Sequence, residues 1–237
     1  MQLKRTGPNM KTLIITPTYN EKENIELMAL NLTQFDCDIL FIDDNSPDGT
    51  GQKIETFVKD NHKVKLLKRQ GKMGLGSAYI EGFDFAVKNG YDKIIMMDAD
   101  LSHPYTKIPE LLNAGVPFAV GSRYIAKGSI EGWPWHRYLL SKFANRYASL
   151  VLNIGINDLT SGFNCIEKQV LERINYKNLR GEGYAFLIEL KYRAFQKGFS
   201  LKEVPIKFKE REKGKSKISK KIIYEAFWLV LKLKFFH

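Results

Sequence analysis

The sequence predicts an α/β protein built on an open, mainly parallel central sheet flanked by helices, and three observations lead there. Apolar runs of strand length recur at residues 12–16, 39–42, 64–67, 93–97 and 117–120. Segments with helical periodicity separate them, the alternation that generates parallel strands joined by crossover helices. The runs Ile39-Leu40-Phe41-Ile42 and Ile94-Ile95-Met96-Met97 are apolar at every position, as expected of strands covered on both faces. Finally, 237 residues with 44% from the apolar set are enough for a sizeable core at the upper end of a single domain.

In chain order, the first strand runs over 12–16 and the first helix starts near Asn20 or Glu21, with Ile25, Met28, Ala29 and Leu32 on its buried face. Later helices fit 51–60, 77–89 and 106–112. Beyond Gly121 the pattern changes to a long helix over 135–152, a loop over 157–164, a helix over 184–197 and a strand-like 204–208. No linker, internal repeat or low-complexity tract separates the halves. Residues 1–10 therefore read as an N-terminal extension, 11–218 as one domain, and 219–237 as an amphipathic C-terminal helix.

Lys and Arg number 37 against 26 Asp and Glu, a net charge of +11 that calls for anionic partners. The charge is concentrated: residues 202–221 hold nine Lys or Arg and three Glu. No recognised nucleic-acid-binding motif occurs and the basic stretch has few interleaved aromatics, which argues against nucleic acid. A non-catalytic anion-binding protein stays open on composition alone. Two cysteines at no metal-ligand spacing, no apolar stretch of about 20 residues and no secretory h-region point to a reducing, cytoplasmic setting. The last segment, 222–236, places Phe227, Trp228, Leu231, Phe235 and Phe236 beside basic residues. That composition suits either a membrane interface or ordinary packing on the domain.

Ligands of open α/β sheets bind at the carboxyl ends of the strands, so the polar residues there are the candidates for chemistry. After the fourth strand comes Asp98-Ala99-Asp100. Residues i and i+2 of an extended chain point the same way, so the two carboxylates can face one hard divalent cation; capping the next helix is the simpler alternative. Ser102 and His103 follow as candidates to complete the shell, with a neutral or surface histidine the plainer role for His103. The second strand ends in Asp43-Asp44-Asn45-Ser46-Pro47-Asp48-Gly49-Thr50, part turn chemistry and part potential ribose or base contact. The first ends in Pro17-Thr18-Tyr19-Asn20-Glu21, where a base can stack. Lys72-Met73-Gly74-Leu75-Gly76 is no dinucleotide fingerprint, yet Lys72 can reach phosphate.

Together with Gly121-Ser122-Arg123-Tyr124, Asp158-Leu159-Thr160-Ser161-Gly162-Phe163, Glu203-Val204-Pro205-Ile206, Arg211 and Gly214-Lys215-Ser216-Lys217, these motifs resemble family-two glycosyltransferases. The order and spacing over most of the chain are similar to the polyprenyl-phosphate (dolichyl-phosphate) mannose synthase branch. The resemblance implies a glycosyltransferase A-type, nucleotide-sugar-binding fold, with Pro17, Tyr19, Glu21, Asp44 and Lys72 on the donor. Asp98 and Asp100 would hold Mg²⁺ or Mn²⁺, with Ser102 where some members carry a glutamine ligand. Arg123, Arg137 and Ser141 would cradle acceptor phosphate, Arg123 and Arg211 would also reach the donor, and Asp100, Arg123, Arg137 and Arg211 would carry catalysis. Asn164, Cys165 and Ile166 stand where the family commonly has an arginine and, two positions on, a tyrosine; Leu187 replaces a frequent glutamine.

The implied reaction is inverting transfer of mannose from GDP-mannose to a polyprenyl monophosphate. An ionised phosphate needs no general base. Transfer from UDP-glucose, or to a saccharide acceptor with Asp158 as base, are the alternatives. The expected place is the cytoplasmic face of a membrane, held peripherally, by membrane helices continuing the chain, or by a separate membrane-anchoring protein.

Overall fold

The computed structural model describes residues 10–210 and 220–235, the segment 220–226 as backbone only. In chain order the elements are β1 (Thr12–Thr18), α1 (Lys22–Leu32), β2 (Asp38–Asp43), α2 (Thr50–Asp60), β3 (Val64–Lys68), α3 (Leu75–Lys88), β4 (Lys93–Met96), α4 (Ile108–Leu112) and β5 (Phe118–Ser122). Then follow β6 (Ser129–Glu131), α5 (Trp135–Leu152), β7 (Asn164–Glu167), α6 (Lys168–Ile174), α7 (Tyr184–Gln196), β8 (Leu201–Pro205), β9 (Lys207–Lys209) and α8 (Lys220–Phe235).

Residue parity along the central strands sets the layers. Leu13 and Ile15 of β1, with Leu40, Ile42, Ile94 and Met96, enter a core covered by α3, α6 and α7. Ile14, Ile39, Phe41 and Ile95 point the other way, into a core with Ile25, Met28 and Leu32 of α1, Ile54 of α2 and Ile108 of α4. A third cluster joins Ala148 and Leu152 of α5, Ile188 and Tyr192 of α7, and Val230 and Leu233 of α8. The sheet order is β3-β2-β1-β4-β7-β5-β8. Every pairing is parallel except those of β7, which runs antiparallel to β4 and β5.

The loop expected over 157–164 thus ends at Phe163, and the next four residues form an internal strand. Likewise the single strand expected over 204–208 breaks at Ile206 into β8 and β9, and β9 pairs with β6 outside the main sheet. Asn20 lies just outside α1 in a left-handed conformation, φ 58°. The helix begins two residues later, its first amides bound by the 46–50 turn: Asn20 N–H donates to Ser46 Oγ (3.0 Å), Glu21 N–H to Thr50 Oγ1 (3.0 Å) and Lys22 N–H to Asp48 Oδ2 (3.2 Å). Much of the acidic cluster after β2 is therefore a helix cap supplied from another segment.

Helix α3 approaches the sheet so closely that a Cβ on Gly82 would lie 2.8 Å from Ile15 Cγ2 and 2.9 Å from Ile42 Cδ1. Gly82→Val is expected to cost about 1–3 kcal/mol through overpacking, read as a lower denaturation midpoint in urea. An unchanged midpoint would contradict this packing.

Candidate active site

The carboxyl ends of β1, β2 and β4 meet in a cleft of about 280 Å³ lined by Pro17, Tyr19, Glu21, Asp44, Lys72, Asp98 and Asp100, together with Gly74 and Gly183. Seven of the positions expected to hold the donor and metal are thus gathered in one place, while Arg123 and Ser102 are not on its wall. Lys72 lies over the Tyr19 ring at 4.5 Å, a cation held at a base-sized aromatic face. Asp44 is fixed by Arg69, whose Nη1 donates to Oδ1 at 2.6 Å, and by the Met73 amide on Oδ2 at 3.1 Å. Arg69 is itself buried, its other nitrogens reaching Glu81 and Ser77. The sequence reading missed Arg69, since an arginine ending an edge strand carries no local mark of a role. The neighbouring Asp43 is structural: it accepts from Thr18 Oγ1, Ser46 N–H and Ser46 Oγ.

Asp98 and Asp100 leave β4 on the cleft side, followed by a left-handed turn at Leu101, φ 61°. Both carboxylates act on the buried Tyr79 phenol. Burial first, then their two negative charges, push it well above its ordinary value. Two carboxylates on one wall of the cleft are a fitting donor set for a hard divalent cation, with phosphate and water oxygens to complete the shell. No group of three or more His, Cys, Asp or Glu suited to a metal occurs among the described residues.

Ser102 acts on Asp100: its amide donates to Oδ1 at 3.1 Å and its hydroxyl at 2.5 Å. The hydroxyl expected as a third ligand therefore holds the second. His103 is buried, stacked on Phe163 at 5.2 Å and met edge-on by Phe208. Its Nδ1 accepts from the Asp98 amide at 3.1 Å, and its Nε2 lies 3.8 Å from Asp98 Oδ2. It is a packed support for the loop that follows β4, not a surface residue.

Arg123 departs from the picture of a phosphate fork open to ligand. Its Nε and Nη2 grip Asp158 at 2.7 Å each, its amide donates to the same carboxylate at 2.9 Å, and Nη2 also reaches Thr160 Oγ1. The rings of Tyr124, Trp133 and Phe208 surround the guanidinium at 5.3–5.6 Å. Burial alone would raise the Asp158 carboxyl, but the Arg123 charge and hydrogen bonds prevail and hold it below the usual range. Such a carboxylate makes a poor proton acceptor for a bound sugar.

Arg137 lies on α5, stacked on Trp133 at 4.0 Å and paired with Glu210 at 2.5 Å. With Ser141, it borders an apolar cavity of about 240 Å³ between α5, α7 and α8, lined also by Leu140, Phe143, Tyr147, Ile188 and Phe227. Arg137 Nε, Trp133 Nε1 and Tyr147 Oη on this wall are buried and have no hydrogen-bond partner among the described residues. Cleft and cavity adjoin at the start of α7, where Gly183 lines one and Tyr184 the other. Arg211 lies outside the described residues. Both cysteines are buried and free, and burial pushes each thiol up to about 12.

Asp158→Asn would leave Arg123 in a buried site without its counter-charge and is expected to cost about 3–5 kcal/mol, measured by chemical denaturation. Because the carboxyl is held low in the folded state, its contribution is complete above the ordinary carboxyl value near 4 and fades as pH falls through the lowered one. The gap between wild type and variant should accordingly narrow only below about pH 4.

Comparison with known proteins agrees with this arrangement. Residues 13–174 match the model of "Glycosyl transferase family 2". The chain is 44% identical over 229 residues to a polyprenol monophosphomannose synthase of Mycolicibacterium smegmatis, covering 94% of this chain and 86% of that one. It is 37% identical over 221 residues to an undecaprenyl-phosphate mannosyltransferase of Micrococcus luteus, covering 92% and 91%. Among solved structures, glucosyl-3-phosphoglycerate synthase from Mycobacterium tuberculosis, with Mn²⁺, UDP-Glc and phosphoglyceric acid, matches 94% of this chain and 79% of that one at TM-score 0.65 and 14% identity. A mannosyltransferase from Pyrobaculum calidifontis, with GDP-Man and Mn²⁺, matches 94% and 72% at TM-score 0.56 and 14% identity, a likeness of fold. With the strand-end carboxylates, the mainly parallel sheet and these relatives in agreement, the chain belongs to glycosyltransferase family 2, in its branch of polyprenyl-phosphate mannose synthases.

Proposed function

We propose that this protein transfers mannose from GDP-mannose to a polyprenyl monophosphate, with inversion at the anomeric carbon. The observation that carries the acceptor half is the apolar cavity beside the cleft: its wall presents Arg137 and Ser141, with Arg137 Nε and Trp133 Nε1 as buried donors lacking partners among the described residues. A lipid phosphate answers both features, its anionic head to the donors and its isoprenoid chain to the apolar lining. The names of the two curated relatives support the same acceptor class.

On the donor side, Tyr19 and Lys72 offer a stacking face and a cation, while Asp44, held by Arg69, presents a fixed acceptor for ribose or base hydrogen bonds. Asp98 and Asp100 would hold Mg²⁺ or Mn²⁺, which supplies positive charge to the departing diphosphate. The two Mn²⁺-bound neighbours support a divalent ion of this kind. The acceptor phosphate oxygen forms the new bond to the anomeric carbon as the bond to the nucleoside diphosphate breaks. No proton has to be removed from the nucleophile, which agrees with the burial of Asp158 in an ion pair. That pairing disfavours the saccharide-acceptor alternative.

Delivery of such an acceptor needs contact with a membrane, and no described helix is long and apolar enough to cross one. The helices that wall the cavity nonetheless expose Trp135 (74%), Phe143 (72%), Leu139, Leu140 and Leu150 on α5, and Phe227, Trp228 and Phe235 on α8. Lys142 and Arg146 stand among them. This favours peripheral attachment to an anionic lipid surface, apolar side chains in the interface and cations toward headgroups.

Turnover of the purified protein with GDP-mannose, UDP-glucose and UDP-GlcNAc, each with and without polyprenyl phosphate and Mg²⁺ or Mn²⁺, tests the proposal. Product is expected from GDP-mannose with lipid phosphate and metal. A clear preference for UDP-glucose, or efficient transfer to a soluble sugar, would overturn it. Asp98→Asn and Asp100→Asn are each expected to lower kcat at least about a hundredfold with the circular dichroism unchanged. Near-normal turnover in EDTA would refute the metal-held donor. Arg137→Lys keeps the charge but loses the fork, and should raise KM for the lipid phosphate while leaving KM for the donor in place.

A further inference from the structure

Lys191 on α7 is the one lysine among the described residues with no solvent exposure, and nothing said so far uses it. An ammonium in such a place is costly unless fully hydrogen-bonded. Its Nζ donates to the main-chain carbonyls of Ser161 (2.8 Å) and Leu159 (3.1 Å), with a third, longer contact to Leu187 O (3.5 Å) in its own helix. No carboxylate of the described residues lies within ion-pair distance, and Asp158, whose charge acts on Lys191, is gripped by Arg123. Three N–H groups thus meet three carbonyls, two of them in the loop that connects the reacting parts of the site.

That loop is tied at every polar position. Asn157 and Asp158 N–H groups donate to Glu203, Asp158 binds Arg123, the Thr160 amide donates to Asn145 Oδ1, and Ser161 Oγ donates to Gly121 O. At its far end Gly162 lies so close to the metal motif that an added Cβ would stand 3.2 Å from Asp98 Oδ1. Lys191 holds the middle. We propose that Lys191 is a proton-operated positioning residue: its ammonium draws the Leu159 and Ser161 carbonyls inward, keeping the loop seated between the Arg123 guanidinium and the Asp98 carboxylate.

The geometry makes this seat sensitive to pH in the physiological range. Burial, the largest influence, lowers the Lys191 value to about 7; Asp158 and Glu203 oppose that shift, and Arg123 adds to it. Once deprotonated, the amine has two hydrogens for three carbonyls and no charge for their dipoles. Ser161 O keeps a donor in Asn164 Nδ2 at 3.0 Å, so Leu159 and the adjoining Thr160, a partner of Arg123, are freed first. Global stability moves in the opposite sense. A lysine with a folded value near 7 and an unfolded value near 10.4 releases its proton earlier in the folded state, so stability increases as pH rises between the two.

The decisive measurement is amide hydrogen exchange of the 158–162 segment, corrected for intrinsic rates, in wild type and Lys191→Met between about pH 6 and pH 8.5. Wild-type protection should fall about tenfold across this range, whereas Lys191→Met should be poorly protected and flat. Its melting temperature should fall progressively behind that of wild type above about pH 7. Wild-type protection that does not change with pH, or the same change in Lys191→Met, would overturn the proposal. Should the variant not fold, the wild-type exchange profile and a titration of the Lys191 ¹³Cε resonance decide alone: a midpoint above about pH 9 sinks it.

The activity arm rests on the mannosyl-transfer reading: kcat should carry an alkaline limb near pH 7 in wild type and none in Lys191→Met, with donor KM unchanged. If wild type transfers no mannose, that reading fails, while exchange still decides the role of Lys191.

Discussion

The grip of Asp158 on Arg123 is the constraint from which the catalytic half of this structure follows. Arg123 directly follows β5, Asp158 opens the loop that leads into β7, and Glu203 of β8 holds the Asn157 and Asp158 amides. Two carboxylates, Asp158 and Glu203, therefore join three adjacent strands of the sheet, β7, β5 and β8. The pair is buried, and the attraction between its charges has to offset a desolvation cost of several kcal/mol per ion. It does so through three hydrogen bonds from Arg123 to the carboxylate, and aromatic faces line the guanidinium where water would otherwise be lost without return. What the arrangement secures is direction. With Nε and Nη2 committed, the arginine cannot swing.

The other acidic residues divide by whether they line the cleft. Asp43, Asp48 and Glu189 accept backbone or hydroxyl hydrogen bonds that fix turns and helix starts. Asp44, Asp98 and Asp100 are each held through a partner, Arg69, the His103-braced loop and Ser102 respectively, while still lining the cleft. All three stay on the cleft wall while they are held, within reach of a ligand. This is how a site can be preorganised without being filled by its own scaffold.

The same distinction explains what was legible in the sequence. The five apolar runs became β1 to β5, most clearly β2 and β4, where a strand buried on both faces needs apolar residues at successive positions, and helix α5 was bounded correctly by its own periodicity. Strand β7 escaped notice: Asn164-Cys165-Ile166-Glu167 is four residues long and half polar, and only its place between β4 and β5 makes it a strand. The cleft residues were legible as polar groups after strands. Their supports were not, because Arg69, Lys191 and Glu203 act across 25 to 45 positions on partners that no local spacing announces. Which of Asp43, Asp44 and Asp48 would face the cleft was equally a matter of the turn they share.

Two compartments that meet at Gly183 and Tyr184 pose a problem that a single cleft would not. A phosphate acceptor and a diphosphate donor repel one another, and that repulsion grows as water is excluded from the space between them. Cations placed between the two can relieve it, yet freely moving side chains would simply settle on one phosphate and leave the other. Here Arg123, which lines neither compartment, is anchored by Asp158, and Arg137 on the cavity wall lies 4.0 Å from the Trp133 ring centre. Neither can collapse onto the donor without breaking a buried contact. Glu210 complements this by occupying Arg137 with a weaker, half-exposed carboxylate, a partner that a dianionic phosphate can outcompete at modest cost. In the proposed reaction, fixed cations would keep the two anions apart, and with the nucleophile already ionised, that placement would be the chief demand made on the protein.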